Sequence, residues 1–165
     1  MMSELDAKID LLDRAVMEAA ENDEKARLLM TQPGVGPITS MAFVLTMGDV
    51  NRFQRGKQVA SYLGLIPQEY SSGGHQRLGS ISKQGNRFLR MLLVEAAQGA
   101  VRCDPGFRNE YSHRCHRMPK GVAKVAAARK LAIRLYWMLR SNTKYPEIVH
   151  VESSSRVPLV IRHGG

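Results

Sequence analysis

The stretch LLMTQPGVGPITS, residues 28–40, indicates the fold of this chain more clearly than any other. A short helix stops at a Pro-Gly-Val-Gly-Pro turn, and the apolar run from Ile38 to Met47, closed by Gly48, predicts a second helix. Gly34 and Gly36 can both take positive φ and bring the backbone close to a neighbour. The pattern is that of a helix-hairpin-helix within a mainly α fold.

The start of the second helix is a candidate phosphate-binding site. Pro37 suits the first helical position, and the unpaired N–H groups of a helix start attract anions. Gly34, Val35 and Gly36 are therefore candidate nucleic-acid contacts. A tight turn between two helices with no ligand is the alternative, and the turn residues leave both open.

The N-terminal segment is an amphipathic, coiled-coil-like helix, predicted from Ser3 to about Glu21 with Ser3 as its N-cap. Its apolar stripe needs a partner, which is either a later helix or a second chain. The stripe consists of Leu5, Ile9, Leu12, Val16 and Ala19/Ala20.

Periodicity and turn residues divide the rest of the chain. Further helices are predicted around Glu24–Met30, Lys57–Leu63, from near Asn86 to the Asp104-Pro105-Gly106 break, and Val122–Leu139. The third of these has one apolar face, formed by Phe88, Leu89, Leu92, Leu93, Ala96, Ala97 and Ala100. Residues 65–82 read as a Gly/Ser-rich loop, with two short strands near Glu69–Ser71 and Gln76–Leu78. We expect three parts: a linking or oligomerisation helix (1–24), a helical domain (25–145) and a poorly ordered tail (146–165).

Charge is distributed unevenly along the 165 residues. The chain has 24 Lys and Arg against 15 Asp and Glu, a net charge of +9. Residues 1–24 carry −6, whereas residues 52–145 carry +14. Such a one-sided stretch without low complexity favours a nucleic-acid partner over a solvated basic face with no ligand. Charge alone leaves DNA and RNA open.

Several other classes of protein and site are disfavoured. The sequence has no run of eighteen apolar residues and does not open on a basic, apolar leader, so we expect neither a membrane span nor a secretory signal. Two cysteines are too few for a secreted disulfide scaffold, so we expect a cytoplasmic protein with no membrane partner. The set Cys103, His113, Cys115 and His116 does not match paired zinc-ligand spacings, so no metal site is predicted and a zinc site is kept only as the alternative to satisfied or exposed side chains. Tyr136, Trp137 and Met138 fit core packing better than base stacking.

The segment YSSGGHQRLGSISKQGNR, residues 70–87, alternates hydroxyls, glycines and cations. A serine flanked by glycine can approach a phosphate closely, and attack on a phosphodiester would conserve the bond energy in a phosphoserine. Cations at Arg77, Lys83, Arg87 and Arg90 could neutralise charge on the phosphoryl oxygens. A phosphate-binding loop without chemistry is the alternative, and the residues alone favour it.

Several motifs occur together in a fixed order. They are QPGVGPIT (32–39), Phe53, ASYLGLIP (60–67), SGG (72–74), ISKQGN (81–86) followed by Leu89-Arg90, and AARKL (127–131). In this order they resemble the C-terminal domain of transposases of the insertion sequence 110 class, also found in the related 116 and 902 elements. The resemblance covers about Leu28 to Tyr145, most of the chain.

The resemblance implies a DNA transposase or recombinase whose C-terminal domain supplies a nucleophilic serine. In that family an N-terminal RuvC-like domain carries four metal-binding acids, Mg²⁺ assists strand cleavage and a structured bridge RNA acts as guide. Carried over to this sequence, the nucleophile is Ser72, with Ser71 as the fallback. Lys83, Asn86, Arg87 and Arg90 become nucleic-acid or active-site contacts.

The sequence given opens with what resembles the linking helix of the family, so we expect the RuvC-like domain to lie outside this chain. We therefore expect that this chain binds no cofactor itself and is catalytically incomplete alone. The expected partners are DNA, a structured guide RNA, further copies of the chain and a RuvC-like domain in the full-length enzyme or in trans, at the prokaryotic nucleoid. Two alternatives are a non-catalytic nucleic-acid-binding module, such as a transposase remnant, and a purely structural helical oligomerisation domain.

Overall fold

The computed structural model describes residues 2–65 and 80–155, with side chains for 3–65 and 87–150. Within these ranges the chain is mainly α-helical, as predicted, with eight α-helices, one 3-10 turn (Val50–Arg52) and no β-strand. The helices are α1 (Met2–Asn22), α2 (Glu24–Met30), α3 (Pro37–Met47), α4 (Gly56–Tyr62), α5 (Ser80–Cys103), α6 (Pro105–Arg117), α7 (Lys120–Ser141) and α8 (Tyr145–Ser155).

Helix α7 is the central helix of the fold and packs against α2, α4, α5 and α6. Alanines at 123, 127, 128 and 132 are buried along it and permit close approach of the neighbouring helices. The large buried side chains complete a single core; they include Leu29, Phe43, Met47, Leu63, Leu89, Leu93, Leu131, Leu135, Tyr136 and Met138. Burial of Tyr136 and Met138 confirms the predicted core role of this part of α7.

Helix boundaries set by strong local signals lie where the sequence places them. Asp23 caps α2, since the Ala26 N–H donates to its Oδ1 atom at 2.9 Å. Gly48, with φ of 58°, ends α3. Asp104 separates α5 from the following helix, as predicted, and accepts hydrogen bonds from the N–H groups of Gly106 and Phe107.

Four expectations about individual elements were wrong. Helix α1 already includes Met2, so Ser3 lies inside it and is not the N-cap. Helix α5 begins at Ser80, six residues before the predicted start, because serines that resemble a loop in composition also suit a first helical turn. Phe88 was placed on the buried face of α5 but is 55% exposed. The segment from 146 continues as α8 to Ser155, held by the buried side chain of Ile148.

Helix α6 (Pro105–Arg117) was not predicted from the sequence. Its only buried residue is Phe107, so the 3.6-residue apolar period that identifies a helix is weak there. The same Asp-Pro-Gly sequence that stops α5 starts α6, because Asp104 is a good N-cap and Pro105 fits the first helical position. The two predicted short strands, at 69–71 and 76–78, lie outside the described residues.

Candidate nucleic-acid interface

The turn between α2 and α3 contains the first group of predicted contacts. A hydrogen bond closes this turn: the N–H of Val35 donates to the carbonyl oxygen of Gln32 at 3.1 Å. Gly34 has φ of 92°, as its predicted freedom allows. Gly36 does not take positive φ; its φ is −98° and its ψ −173°. The reason is Pro37, which forces the residue before it into an extended conformation.

Gly34 lies directly against helix α5. A Cβ atom at this position would come within 2.4 Å of the Ala96 carbonyl oxygen and 2.8 Å of the Ala100 nitrogen. The contact is reciprocal, since a Cβ atom at Gly99 would lie 2.9 Å from the Gly34 Cα atom. The close approach expected at Gly34 is therefore made to α5, and Gly99 is a packing residue that no sequence motif indicated.

The three turn candidates differ in what they can offer a ligand. The side chain of Val35 is buried in the core. Gly36 faces open space, with no heavy atom within 4 Å of a Cβ atom built there. It leads into the first turn of α3, where Ile38 is 44% exposed. N–H groups at this position of a helix have no partner within the helix.

A buried polar network holds the turn in place. Nη1 of Arg134, on α7, lies 3.1 Å from Oδ2 of Asp104 and 3.4 Å from Oε1 of Gln32. All three residues are buried. Burial opposes ionisation of Asp104, but hydrogen bonds from the Phe107 N–H and Arg134 outweigh it and lower the pKa of the carboxyl group. The contact between Gln32 and the Arg134 guanidinium therefore anchors the turn between α2 and α3 to α7, the central helix.

Helix α8 joins the same network. The backbone N–H of Tyr145 donates to the Thr31 hydroxyl at 3.0 Å. The Arg134 guanidinium lies 6.0 Å from the centre of the Tyr145 ring. Burial and the neighbouring Asp104 carboxylate raise the pKa of the Tyr145 hydroxyl. The end of α2, the start of α6, the middle of α7 and the start of α8 thus meet at one point.

A second fixed point lies at the end of α4. The N–H groups of Gly64 and Leu65 donate to the carbonyl oxygens of Ser61 and Ala60, which is the Schellman pattern of helix ends. Gly64 has φ of 70°, and the Leu65 side chain is buried. The Arg90 side chain, from α5, covers this glycine: its Nη1 atom would be 2.9 Å from a Cβ atom at Gly64.

The predicted contacts of α5 share one helix face by their spacing. Positions 83, 87 and 90 are four and three residues apart, and 86 adjoins them. Arg87 is exposed and Arg90 is half-buried against Gly64. Lys83 and Asn86 lie within α5, and their side chains are outside the described set. This face of α5 therefore adjoins the end of α4, where the chain enters residues 66–79.

The remaining predicted site residues are not described by the structure. Ser71, Ser72 and Arg77 all fall within residues 66–79. They stay predictions, and the structure contributes only the positions of Leu65 and Ser80 on either side of them.

The last turn of α5, helix α6 and the first half of α7 carry additional cations. Arg102, Arg108, Arg117, Lys120 and Lys124 are exposed. Arg114 and Lys130 instead pair with Glu110, the former at 2.8 Å. Burial opposes ionisation of Glu110, but its hydrogen bonds to these two cations outweigh it and lower its pKa. These charges belong to the +14 stretch of the sequence, although the α6 helix that presents several of them was not predicted.

No metal-ligating group is formed among the described side chains. Cys103 is exposed and Cys115 half-buried, and neither joins His113 or His116 in a set of three or more ligands. His116 instead contacts the Ser112 carbonyl oxygen through Nδ1, at 2.7 Å. Among the same residues, no helix combines the length and apolar character that crossing a membrane requires.

Together these features define a mainly α-helical domain with a basic α5 face beside a glycine-rich segment. The chain belongs to the transposase IS116/IS110/IS902 family, whose model matches residues 26–112. This match confirms the resemblance seen in the ordered motifs.

Curated relatives support the same assignment. The chain is 38% identical over 142 residues to a Pseudomonas aeruginosa protein described as "Probable family 20 transposase", covering 84% of this chain and 42% of the relative. It is 33% identical over 97 residues to the transposase for insertion sequence element IS1111A of Coxiella burnetii, covering 59% of this chain and 27% of the relative. It is also 32% identical over 136 residues to the pilin gene-inverting protein of Moraxella bovis, with 79% and 41% covered. The chain therefore spans less than half the length of these relatives, and no solved structure matches it.

Proposed function

We propose that this chain is the DNA-binding and serine-bearing part of a transposase that cuts and rejoins DNA strands. The observation that carries the proposal is the contact of Arg90 with Gly64. This contact joins α5 to the end of α4, and the sequence that follows Leu65 contains Ser71 and Ser72, which supports their proposed cooperation with the cations of α5. Membership of the transposase family and the descriptions of its relatives support DNA as the partner.

The proposed reaction is a phosphoryl transfer to serine. The Ser72 Oγ atom attacks the phosphorus of a DNA phosphodiester, and its proton is lost as the phosphorus–oxygen bond to one strand end breaks. The released strand end takes up a proton as a free hydroxyl, and the other end remains attached as a phosphoserine ester. Attack by a different strand hydroxyl reverses the step and joins new partners. Ser71 is the fallback nucleophile.

The chain's own cations have separate roles in this scheme. Arg87, exposed on α5, binds a backbone phosphate, and Arg90 orients the start of the serine segment through Gly64. Arg77, Lys83 and Asn86 are proposed to contact the same DNA. The turn at Gly34–Gly36 offers the N–H groups of the α3 start to a second phosphate.

The Mg²⁺ implied by the family resemblance has no fitting site among the described side chains. We propose that it is bound by the RuvC-like domain, and no step above depends on it. A structured guide RNA is the second proposed partner, supported by the +14 charge of residues 52–145 and by the family resemblance.

The deciding experiment looks for a covalent protein–DNA adduct. The chain is mixed with a separately produced RuvC-like domain, Mg²⁺, a structured guide RNA and end-labelled DNA carrying the ends of the element, and adducts are resolved on denaturing gels. We expect an adduct with the natural sequence and with Ser71→Ala, and none with Ser72→Ala. DNA affinity of Ser72→Ala should be unchanged, which separates chemistry from binding.

Two results would contradict the catalytic proposal. An adduct that survives both serine substitutions would assign the nucleophile elsewhere. Retained, salt-dependent DNA binding with no adduct under any condition would favour the non-catalytic binding module instead.

A further inference from the structure

Arg52 is an exposed cation that packs against two aromatic rings. Its guanidinium carbon lies 4.7 Å from the centre of the Phe53 ring and 4.7 Å from the centre of the Tyr62 ring, and the two ring centres are 5.3 Å apart. A guanidinium between two rings would need their centres about 7 Å apart, which is twice the contact distance of carbon atoms. Arg52 therefore lies on one side of the ring pair, and the rings leave its other side uncovered. We call these three residues the Arg52 stack.

The Arg52 stack is fixed to the core of the fold. Phe53 is buried, its ring meets the Tyr136 ring edge-on, and its carbonyl oxygen accepts a hydrogen bond from the Tyr136 hydroxyl. The Tyr62 ring is 39% exposed, and its hydroxyl donates to the Thr46 carbonyl oxygen at 3.4 Å. Nη2 of Arg52 donates to the same oxygen, also at 3.4 Å. Because the guanidinium is already held in place, a ligand that stacks on it orders few additional bonds.

Among the described side chains, no carboxylate forms an ion pair with Arg52. The ion pairs of this part of the chain involve Lys8, Arg114, Lys130 and Arg134 instead. A guanidinium is planar, weakly hydrated and always charged, so it stacks on nucleobases and attracts the phosphates beside them. A lone phosphate would bind along the N–H edge, part of which the Thr46 carbonyl oxygen already occupies. The arrangement therefore fits a base of a nucleic acid better than an isolated anion.

The Arg52 stack adjoins the surface proposed to bind DNA. Tyr62 is the last residue of α4, and Gly64, two residues further on, is covered by Arg90 of α5. Cutting and rejoining DNA requires that nucleotides next to the break leave one complementary strand before they pair with another. Their bases are unpaired in the interval, and a flat side chain can stack on them whatever their sequence.

We propose that the Arg52 guanidinium, held by the Phe53 and Tyr62 rings, stacks on an unpaired base of the DNA strand that is being exchanged. The inference rests on the proposed function, because it takes DNA as the partner, but it uses no step of the serine chemistry. Arg52 thus holds a base, whereas Arg87 neutralises a phosphate. Tyr62 is a positioning residue, since its ring supports the guanidinium.

An abasic probe isolates the contribution of the base. Fluorescence anisotropy compares duplex DNA that has a short single-stranded gap with the same DNA whose gap nucleotides lack their bases. The natural chain should bind the probe with bases at least about fivefold more tightly, as expected for one stacked base. Arg52→Lys keeps the charge but removes the plane, so the two affinities should agree within about twofold while the abasic probe binds as before. Arg55→Lys, at another exposed arginine, is the matched control and should leave the ratio of affinities unchanged.

Substitutions of Tyr62 test the support of the guanidinium. Tyr62→Phe keeps the ring and should keep the ratio of affinities, whereas Tyr62→Leu should reduce that ratio at least about threefold. Circular dichroism and thermal unfolding confirm that each variant stays folded.

The outcomes separate this site from the proposed function. Equal affinity of the natural chain for the two probes, or an unchanged ratio in Arg52→Lys, would overturn the stacking site alone. No binding of either probe would contradict the proposed function as well. Tighter binding when the gap consists of ribonucleotides would overturn the assignment of the site to DNA.

Discussion

Gly34 and Gly99 meet backbone to backbone, with the Gly34 Cα atom 2.9 Å from the point where a Cβ atom at Gly99 would lie. A methyl group at either position would overlap main-chain atoms, which cannot rotate away. Gly34→Ala also has to keep φ of 92°, a value that alanine disfavours. We expect it to lower the free energy of unfolding by about 2–4 kcal/mol, measured by urea denaturation.

The control for this substitution is the neighbouring glycine. Gly36 faces open space and serves as the N-cap of α3, where serine is a better residue than glycine. Gly36→Ser should therefore change the free energy of unfolding by less than about 0.5 kcal/mol. Equal losses in the two variants would show that the Gly34–Gly99 contact is not what makes Gly34 necessary.

The ion pair between Asp104 and Arg134 predicts an acid-dependent loss of stability. Asp104→Asn keeps the helix cap but leaves the buried guanidinium without its counter-charge, so it should cost about 3 kcal/mol at pH 7. The pKa of Asp104 is lower in the folded protein than in the unfolded chain. Its stabilising contribution is therefore complete well above the ordinary aspartate pKa of about 4 and is lost as the pH falls through the folded value.

Denaturation curves of the natural chain and Asp104→Asn at several pH values should converge as the solution becomes acidic. Glu110→Gln is the matched control, because Glu110 pairs with Arg114 at a similar distance but is 38% exposed. Its cost should stay below about 1 kcal/mol. A gap between the natural chain and Asp104→Asn that does not change with pH would contradict the assigned role of the charge.

Loss of the Tyr136 hydroxyl should lower the free energy of unfolding less than loss of the Asp104 charge. Its buried hydroxyl donates to the Phe53 carbonyl oxygen at 2.6 Å, and Nη1 of Arg140 donates to the same oxygen at 2.8 Å. Tyr136→Phe leaves that oxygen with one partner, so the free energy of unfolding should fall by about 1 kcal/mol. Tyr62→Phe, at an exposed ring whose hydroxyl lies 3.4 Å from the Thr46 carbonyl oxygen, should cost less than about 0.5 kcal/mol in the same assay. The reverse ranking would argue against the importance of the Phe53 contact.

The salt dependence of DNA binding tests Arg87. If its guanidinium neutralises one phosphate of duplex DNA, Arg87→Ala should reduce the slope of log K against log salt by about 0.9. The affinity loss should be similar for unrelated sequences, because phosphate contacts carry no base information. Lys25→Ala, at an exposed position on α2 outside the basic region, should leave both slope and affinity unchanged. Fluorescence anisotropy at several salt concentrations measures both quantities.

The elements that could be predicted from the sequence are those whose signals are local. The Pro-Gly-Val-Gly-Pro sequence separates α2 from α3 and Gly48 ends α3, as expected, and of the two turn glycines only Gly34 takes positive φ. Helix α6 could not be predicted in this way, since a helix that buries only Phe107 leaves almost no periodic pattern.

Contacts between distant segments were beyond sequence reasoning. In the sequence, Asp104 indicates only the end of a helix, and Arg134 is one positive charge among many. In the structure these two residues, 30 positions apart, form a buried ion pair. Gly99 likewise has a recognisable role only in the structure, where it packs against the backbone of Gly34, a residue distant in the chain. A single sequence does not reveal which residues meet across a fold, so the support of the site emerged only from the structure.

The acidic charge of the N-terminal region gives the molecule an electrical polarity. Residues 1–24 carry −6, residues 52–145 carry +14, and α1 spans about 30 Å with its first half exposed. A polyanion diffusing toward the protein is repelled by the acidic residues of α1 and attracted by the exposed cations of α5, α6 and α7, which orients the protein before contact. Added salt shortens the range of this field and should slow association more than it alters dissociation.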